Sequence, residues 1–163
     1  MAPPAAARVL PWAGLAIRLA AAAIWLAAGA TKLADLDAFR GEVGAYDVLP
    51  SSLVDAVAYA LPLLELMLGL YLLAGLLLRQ AAALSVVLLL VFVAAQAQAW
   101  ARGLSIECGC FGGLDRDRVG LVTILRDVAL SLPSIVLLVR PARSVSLDRR
   151  FLGRPDRFAG ETR

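Results

Sequence analysis

The sequence is poor in the residues that bind metals. Its 163 residues include no histidine and only two cysteines. Self-contained zinc, haem and iron–sulfur sites need more donors than these, so we expect no resident metal ion. Charged residues make up 18% of the chain, whereas apolar residues reach 61% and the mean hydropathy is +0.79. Soluble domains have about 45–50% apolar residues. The chain is therefore expected to be solvated by lipid.

Four stretches with almost no charge are long enough to cross a bilayer. A spanning helix takes about 20 apolar residues, and the windows 9–31, 56–78, 80–101 and 119–139 meet this length. A single tight turn around Arg79 and Gln80 separates the second window from the third, which predicts an antiparallel hairpin. The sequence thus predicts an all-α integral membrane protein with a four-transmembrane-helix bundle.

The distribution of basic residues predicts how the chain sits in the membrane. Seven of the sixteen Lys and Arg lie in the last 24 residues, next to the final apolar window. This placement indicates a membrane surface rather than nucleic acid as their partner. By the positive-inside rule the tail is cytoplasmic, and an even number of spans puts the N-terminus on the same side. The net acidic loop 32–55 and the cysteine loop 102–118 would then be extracytoplasmic, in a multi-pass protein of the inner (plasma) membrane.

Several polar residues fall inside the apolar windows. Arg18, Glu65, Arg126 and Asp127 lie within a few residues of the window centres, where an ionised group costs at least about 2.5–3.5 kcal/mol. Two arginines and two carboxylates neutralise each other, so we expect them to form one interior network. Gln96 lies in the outer third of the third window. These residues are candidates for electron, proton or ligand handling, and the alternative is that they only fix helix register and packing.

The two cysteines stand one residue apart, in Cys108-Gly109-Cys110. A disulfide in so small a ring departs from relaxed geometry and is more oxidising than a structural bridge. Because a short crosslink removes little chain entropy, stabilisation is a poor reason for it. This favours Cys108 and Cys110 as redox-active residues. The alternatives are a passive disulfide, two inert small residues, or half of an intermolecular metal site.

These elements together resemble a known family, the methylamine-utilisation membrane proteins (MauE), which are related to DoxX-like proteins. The motifs that carry the resemblance are Ile24-Trp25-Leu26-Ala27-Ala28-Gly29-Ala30-Thr31-Lys32-Leu33, Tyr46-Asp47-Val48-Leu49-Pro50, Leu61-Pro62-Leu63-Leu64-Glu65-Leu66-Met67-Leu68-Gly69, Arg102-Gly103 and Cys108-Gly109-Cys110-Phe111-Gly112. The likeness covers about residues 10–140. It implies a MauE/DoxX-like transmembrane domain over residues 1–140, followed by a basic, disordered cytoplasmic tail over 141–163. Where the family often has Arg-Asn, this chain has Arg126-Asp127.

The resemblance also implies a role in disulfide formation or electron transfer during maturation of a periplasmic enzyme, methylamine dehydrogenase in the founding case. The leading hypothesis is a membrane thiol–disulfide oxidoreductase. In it, Cys108 and Cys110 exchange with a thioredoxin-like or other cysteine-containing extracytoplasmic protein, and a quinone is the candidate cofactor. One alternative is a non-enzymatic membrane subunit or anchor for a partner redox enzyme. Another is a small transporter built around the central charges.

Overall fold

The protein is a bundle of long helices. The computed structural model describes residues 5–109 and 117–139, with side chains from residue 12 onward, so the predictions for Cys110 and for the tail 141–163 lie outside the described residues. The elements are α1 (Ala5–Ala34), α2 (Leu36–Ala45), α3 (Ser51–Ala74), α4 (Leu78–Ala101) and α5 (Leu121–Val139). Within these described residues, four helices are long and apolar enough to cross a membrane: α3, α4, α5 and the Trp12–Ala34 part of α1. The predicted fold class is confirmed.

The loop between the first two spanning helices contains a helix that hydropathy did not predict. Asp35 caps α2, its side chain accepting a hydrogen bond from the Ala38 amide at 3.0 Å. Asp37 adds a negative charge to the first turn, where it stabilises the helix by a favourable interaction with the positive end of the helix dipole. Phe39 is buried, so α2 lies against the bundle rather than in solvent. The predicted loop 32–55 is therefore partly helical.

The turn between α3 and α4 lies earlier in the chain than predicted. Gly75 ends α3 in the left-handed conformation, with φ at +69°, and the Leu76 amide donates to the Tyr71 carbonyl at 3.0 Å. This is a glycine-based helix end. Arg79 and Gln80, which were predicted to form the turn, lie in the first turn of α4 instead. Hydropathy placed the break at the nearest polar residues, whereas the backbone breaks where glycine permits it.

Two pairs of helices make most of the contacts in the bundle. The pair α1 and α3 packs most extensively, followed by α4 and α5, whereas α3 and α4 pack sparsely despite the short turn that joins them. Close approach in the first pair depends on two glycines. A Cβ added at Gly29 would lie 2.8 Å from the Pro62 carbonyl oxygen, and one at Gly69 would lie 2.6 Å from Leu26 Cγ. The backbones of α1 and α3 are thus nearly in contact, as small residues allow in membranes.

The two ends of the bundle differ in polarity. We call the end that holds the α3–α4 turn the turn end, and the end that holds α2 and the cysteine loop the loop end. The core nearer the turn end is mostly apolar, although Arg18 is also buried there. Its buried apolar members are Ala21, Ala22, Trp25, Leu68, Leu72, Leu78, Ala81, Ala82 and Leu137. The half nearer the loop end buries polar side chains instead, among them Lys32, Glu65, Gln96, Thr123 and Asp127.

The outer surface of the spanning helices is apolar, and this surface contacts lipid. Large hydrophobic side chains stand exposed on each described spanning helix, among them Leu19, Leu63, Met67, Leu90, Val122 and Leu132. Such a surface is unfavourable in water over this length and fits a bilayer.

The close α1–α3 contact predicts how glycine substitutions affect stability. Gly29→Ala and Gly69→Ala should each destabilise the protein by about 1–3 kcal/mol, because the added methyl group overpacks a contact with no free space. Gly41→Ala is the matched control, since nothing lies within 4 Å of a Cβ at that position. Thermal denaturation in detergent, followed by circular dichroism, measures the difference. Equal melting temperatures for all three variants would contradict the proposed close contact.

Candidate functional site

The cysteine loop is held in place by backbone hydrogen bonds. Glu107 and Arg118 form an isolated antiparallel bridge. The Cys108 amide donates to the Asp117 carbonyl and the Val119 amide to the Ile106 carbonyl, both at 2.9 Å. Because these bonds are backbone to backbone, the position of Cys108 is fixed by the pairing of the two ends of the loop.

Helix α2 and the residues after it hold the loop from the other side. Tyr46 donates its hydroxyl hydrogen bond to the Cys108 carbonyl at 2.8 Å. Gly109 has φ at +71°, and a Cβ there would lie 2.6 Å from Glu42 Oε2. The left-handed backbone conformation of Gly109 favours glycine, and a larger residue there would also require the Glu42 carboxylate to move.

The sulfur of Cys108 lies inside the protein, beside a positive charge. Cys108 is 2% exposed and packs with Ala99 and Val119. Arg126 Nη2 lies 3.6 Å from Cys108 Sγ. A guanidinium at this distance stabilises the thiolate form of the sulfur over the thiol. The sequence-predicted residues Cys108 and Arg126 are therefore brought together.

Arg126 also connects the sulfur to a buried polar pair. Its Nε lies 3.3 Å from Asp127 Oδ1, and its Nη1 lies 3.7 Å from Asp117 Oδ2. Asp127 is 2% exposed, and its other oxygen accepts a hydrogen bond from Gln96 Nε2 at 2.5 Å. The structure thus places three predicted candidates, Gln96, Arg126 and Asp127, in one contiguous group with Cys108.

Glu65 has a different partner from the one predicted. Lys32 Nζ contacts both its carboxylate oxygens, at 2.7 and 2.9 Å, and both side chains are 1% exposed. The Lys32 ammonium also lies 5.4 Å from the ring centroids of Phe39 and Phe92. Aromatic faces attract a desolvated cation. The cation is thus compensated by one carboxylate and two rings, with no arginine among these partners.

The predicted network of Arg18, Glu65, Arg126 and Asp127 is therefore wrong in its membership. Gly29 lies opposite Leu66, so this antiparallel register of α1 and α3 sets Arg18 level with the α3–α4 turn. The distance along the bundle axis from there to Glu65 is about 18 Å, at 1.5 Å per residue. Arg18 is buried, at 5% exposure, at the opposite end of the bundle. The prediction failed because α1 and α3 are staggered along the bundle axis. In this register the centre of the first window, residue 20, lies level with residue 75 of α3 rather than with Glu65.

A small cavity joins the two buried polar pairs. It has a volume of about 30 Å³ and is lined by Lys32 and Glu65 on one side and by Asp127 on the other, with Trp25 and Leu130 among its apolar walls. A space of this size, bordered by several polar groups, is large enough for a water molecule. The cavity thus brings Asp127 and the Lys32–Glu65 pair to one small space in the loop-end half of the bundle.

Sequence reasoning missed three residues of this site: Lys32, Glu42 and Tyr46. Lys32 was assigned to a loop because the first apolar window ends at residue 31, although α1 continues to Ala34. Its spacing one turn after Ala28 on the same helix was the signal that could have found it. Glu42 and Tyr46 are one turn apart at the end of α2, and a helical interpretation of residues 36–45 would have placed them on one face.

Comparison with known proteins gives a family and two relatives. The family described as methylamine utilisation protein MauE matches residues 10–140. The methylamine utilization protein MauE of Paracoccus denitrificans is 35% identical over 117 residues, which are 71% of this chain and 63% of the relative. That of Methylophilus methylotrophus is 36% identical over 129 residues, 78% of this chain and 65% of the relative. This chain thus spans less than two thirds of the length of either relative. No solved structure matches the chain.

The buried Lys32–Glu65 pair predicts an asymmetry between single and double substitutions. Lys32→Met should destabilise the protein by about 3–5 kcal/mol because it leaves the Glu65 carboxylate buried without its cation. The double variant Lys32→Met/Glu65→Leu should regain most of the lost stability, because two apolar residues leave no uncompensated charge. Thermal denaturation in detergent provides the comparison.

The exposed pair formed by Arg40 and Asp55 supplies the control for this experiment. Its side chains are 56% and 52% exposed, so Arg40→Gln should cost no more than about 1 kcal/mol. If the Lys32→Met single variant were as stable as Arg40→Gln, the buried pair would not have the importance assigned to it.

Proposed function

The chain belongs to the methylamine utilisation protein MauE family, and from that premise we propose that it is a membrane thiol–disulfide exchange protein that acts through Cys108 and Cys110. Its client is an extracytoplasmic protein with a pair of cysteines, thioredoxin-like or an enzyme under maturation. The pathway is methylamine utilisation, the process named for both relatives.

The observation that carries this proposal is the contact between Arg126 and the Cys108 sulfur, at 3.6 Å. Thiol–disulfide exchange proceeds faster when the departing sulfur is stabilised as a thiolate. A purely structural disulfide does not form a thiolate, so a cation at that position would not stabilise it. The arginine is itself held by Asp127 and Asp117, so its guanidinium is oriented toward the sulfur before any reaction begins.

The burial of Cys108 supports different proposed roles for the two cysteines. A sulfur on a residue with 2% exposure is out of reach of a folded client, so Cys110 is the cysteine that the client attacks. A client thiolate forms a mixed disulfide with Cys110, and Cys108 leaves as a thiolate beside Arg126. The second client thiolate then attacks the client sulfur of the mixed disulfide and releases Cys110. The client loses two electrons and becomes a disulfide, and the Cys108–Cys110 disulfide becomes a dithiol.

The proposed orientation puts the loop end outside the cytoplasm. The arginine-rich tail that follows α5 favours the cytoplasm by the positive-inside rule. Acidic residues are concentrated at the opposite end of the bundle, where Asp35, Asp37, Asp47 and Asp55 flank α2 and the start of α3. The basic tail supports cytoplasmic termini and an extracytoplasmic cysteine loop, whereas acidic residues have little influence on orientation.

A second candidate function is that of a membrane subunit that anchors a partner redox enzyme. One observation favours it: the loop is also attached by contacts that do not involve sulfur chemistry. Arg102 Nη2 pairs with Asp47 Oδ2 at 3.0 Å and its Nη1 lies 3.3 Å from the Asp47 carbonyl oxygen. A loop fixed in this way offers a rigid surface to a partner. In this case the cysteines would act as a clip, and their replacement would leave partner activity unchanged.

Replacement of the cysteines one at a time tests the two roles. In the Cys108→Ser variant, glutathione disulfide should modify Cys110 and the adduct should persist, because no neighbouring thiol can release it. The Cys110→Ser variant should be modified far more slowly, because the Cys108 sulfur is buried. Mass spectrometry of the protein in detergent quantifies both adducts. The reverse order of reactivity would contradict the assignment, and unchanged oxidation of dithiothreitol by membranes that carry the double Ser variant would refute the exchange function.

Removal of the positive charge next to Cys108 should slow exchange. Arg126→Gln is expected to lower the exchange rate with dithiothreitol by at least about tenfold, the effect of 1.4 kcal/mol of lost thiolate stabilisation. Arg126→Lys should retain part of the rate. Arg118→Gln removes the same charge from an exposed position of the same loop and serves as control. Equal rates for Arg126→Gln and Arg118→Gln would show that the Arg126 contact does not assist the sulfur.

A further inference from the structure

A groove separates α3 from α4 in the loop-end half of the bundle. The two helices are joined at the turn end but pack sparsely, and the space between them has a volume of about 300 Å³. The α4 residues that line it lie on one helix face, at spacings of three and four, and two α3 residues one turn apart face them. These residues are Leu88, Val91, Phe92 and Ala95 of α4 and Val57 and Leu61 of α3. The lined length of α4 is about 10 Å.

The groove is lined almost entirely by apolar surface, and the cysteine loop forms its closed end. At the loop end it is bordered by Cys108 and Gly109, with Glu42 and Tyr46 beside them. On the open side its lining includes Val91 of α4, which is 60% exposed. Since the exposed surface of the spanning helices faces lipid, a molecule dissolved in the membrane can enter from the side and reach the buried sulfur.

We propose that this groove binds a membrane quinone, with the ring at the Cys108 end and the isoprenoid chain directed toward lipid. A volume of about 300 Å³ lies at the lower bound for small-molecule sites, which suits one substituted ring with the first part of a chain. At the closed end, the Glu42 carboxylate is placed to accept a hydrogen bond from a hydroquinone hydroxyl. The groove is thus a place where the cysteine pair and an electron acceptor meet.

The redox part of this inference rests on the exchange function proposed above. Each client oxidised leaves Cys108 and Cys110 as thiols, and the pair must lose two electrons and two protons to be used again. When the S–S bond forms, both thiol hydrogens and both electrons are transferred in total to the quinone, which becomes the hydroquinone. A water-soluble oxidant does not suit an apolar groove, and an acyl chain would fill it without accepting electrons. The chemistry at the closed end therefore favours a lipid-soluble two-electron acceptor.

A matched pair of alanine substitutions tests the groove. Ala95 lines it, whereas the neighbouring Ala94 is exposed on another face of α4. Ala95→Leu fills the ring position, so it should lower the rate of decylubiquinone-dependent reoxidation of the reduced protein by at least about tenfold. Ala94→Leu adds the same volume toward lipid and should leave that rate unchanged. Stopped-flow measurement of decylubiquinone absorbance in nanodiscs follows the reaction, with dithiothreitol exchange as a second readout that both variants should retain.

Binding is measured separately, with the Cys108→Ser/Cys110→Ser protein and decylubiquinone in a thermal-shift titration. Saturable stabilisation that Ala95→Leu abolishes and Ala94→Leu preserves supports the site even if the exchange function fails. If decylubiquinone does not stabilise the double Ser protein while the wild-type protein still exchanges with dithiothreitol, the groove is overturned and the exchange function stands. Equal effects of Ala95→Leu and Ala94→Leu on binding and reoxidation would also overturn the proposed quinone site. So would stabilisation by hexadecane equal to that by decylubiquinone, because this would identify a site for acyl chains.

Discussion

The ion pair between Lys32 and Glu65 is the interaction on which the arrangement of the bundle depends. Each of these charges is fully buried in a segment that crosses the membrane, where bulk water does not reach it and lipid cannot solvate it. Their contact requires α1 and α3 to lie side by side in one register, and the glycine contacts one turn away permit the necessary approach. With α1 fixed on α3, Phe39 of α2 and Phe92 of α4 complete the surroundings of the ammonium. The loop-end half of the bundle is thus organised around one neutralised cation.

This arrangement explains why the polar residues collect on one side of the bundle. A buried charge in lipid is tolerated only beside its partner, and a buried amide only where its hydrogen bonds are made. Gln96 and Asp127 satisfy this requirement because they form a hydrogen bond with each other, and Arg126 lies beside Asp127. The turn-end half, by contrast, is packed with alanine and leucine. The turn-end half of the bundle therefore provides most of the apolar packing, and the loop-end half positions the Cys108 sulfur and its charged neighbours.

The sequence allowed the fold class to be predicted because hydropathy depends on length and composition alone, and four windows of sufficient length are unambiguous. The site was predicted only in part. Gln96, Arg126 and Asp127 meet because they lie near the cysteine loop, whereas Glu65 pairs with a lysine that hydropathy assigned to a loop. Window centres do not give relative depth when two helices are staggered, and α1 is shifted toward the turn end relative to α3, which places Arg18 far from Glu65. The α2 helix and Gly75 depend on a side-chain cap and a left-handed backbone, which hydropathy does not detect.

The separation of Lys32 and Glu65 by 33 positions has a consequence for biosynthesis. When the first spanning segment leaves the ribosome, its ammonium has no carboxylate to meet, and translation of the third helix is still incomplete. Stable partition of either segment alone into the bilayer would strand a charge at a cost of several kcal/mol. We therefore expect the insertion machinery to retain α1 until α3, the second spanning helix, arrives and to release the two helices together. A nascent chain truncated before residue 65 would then remain bound to that machinery.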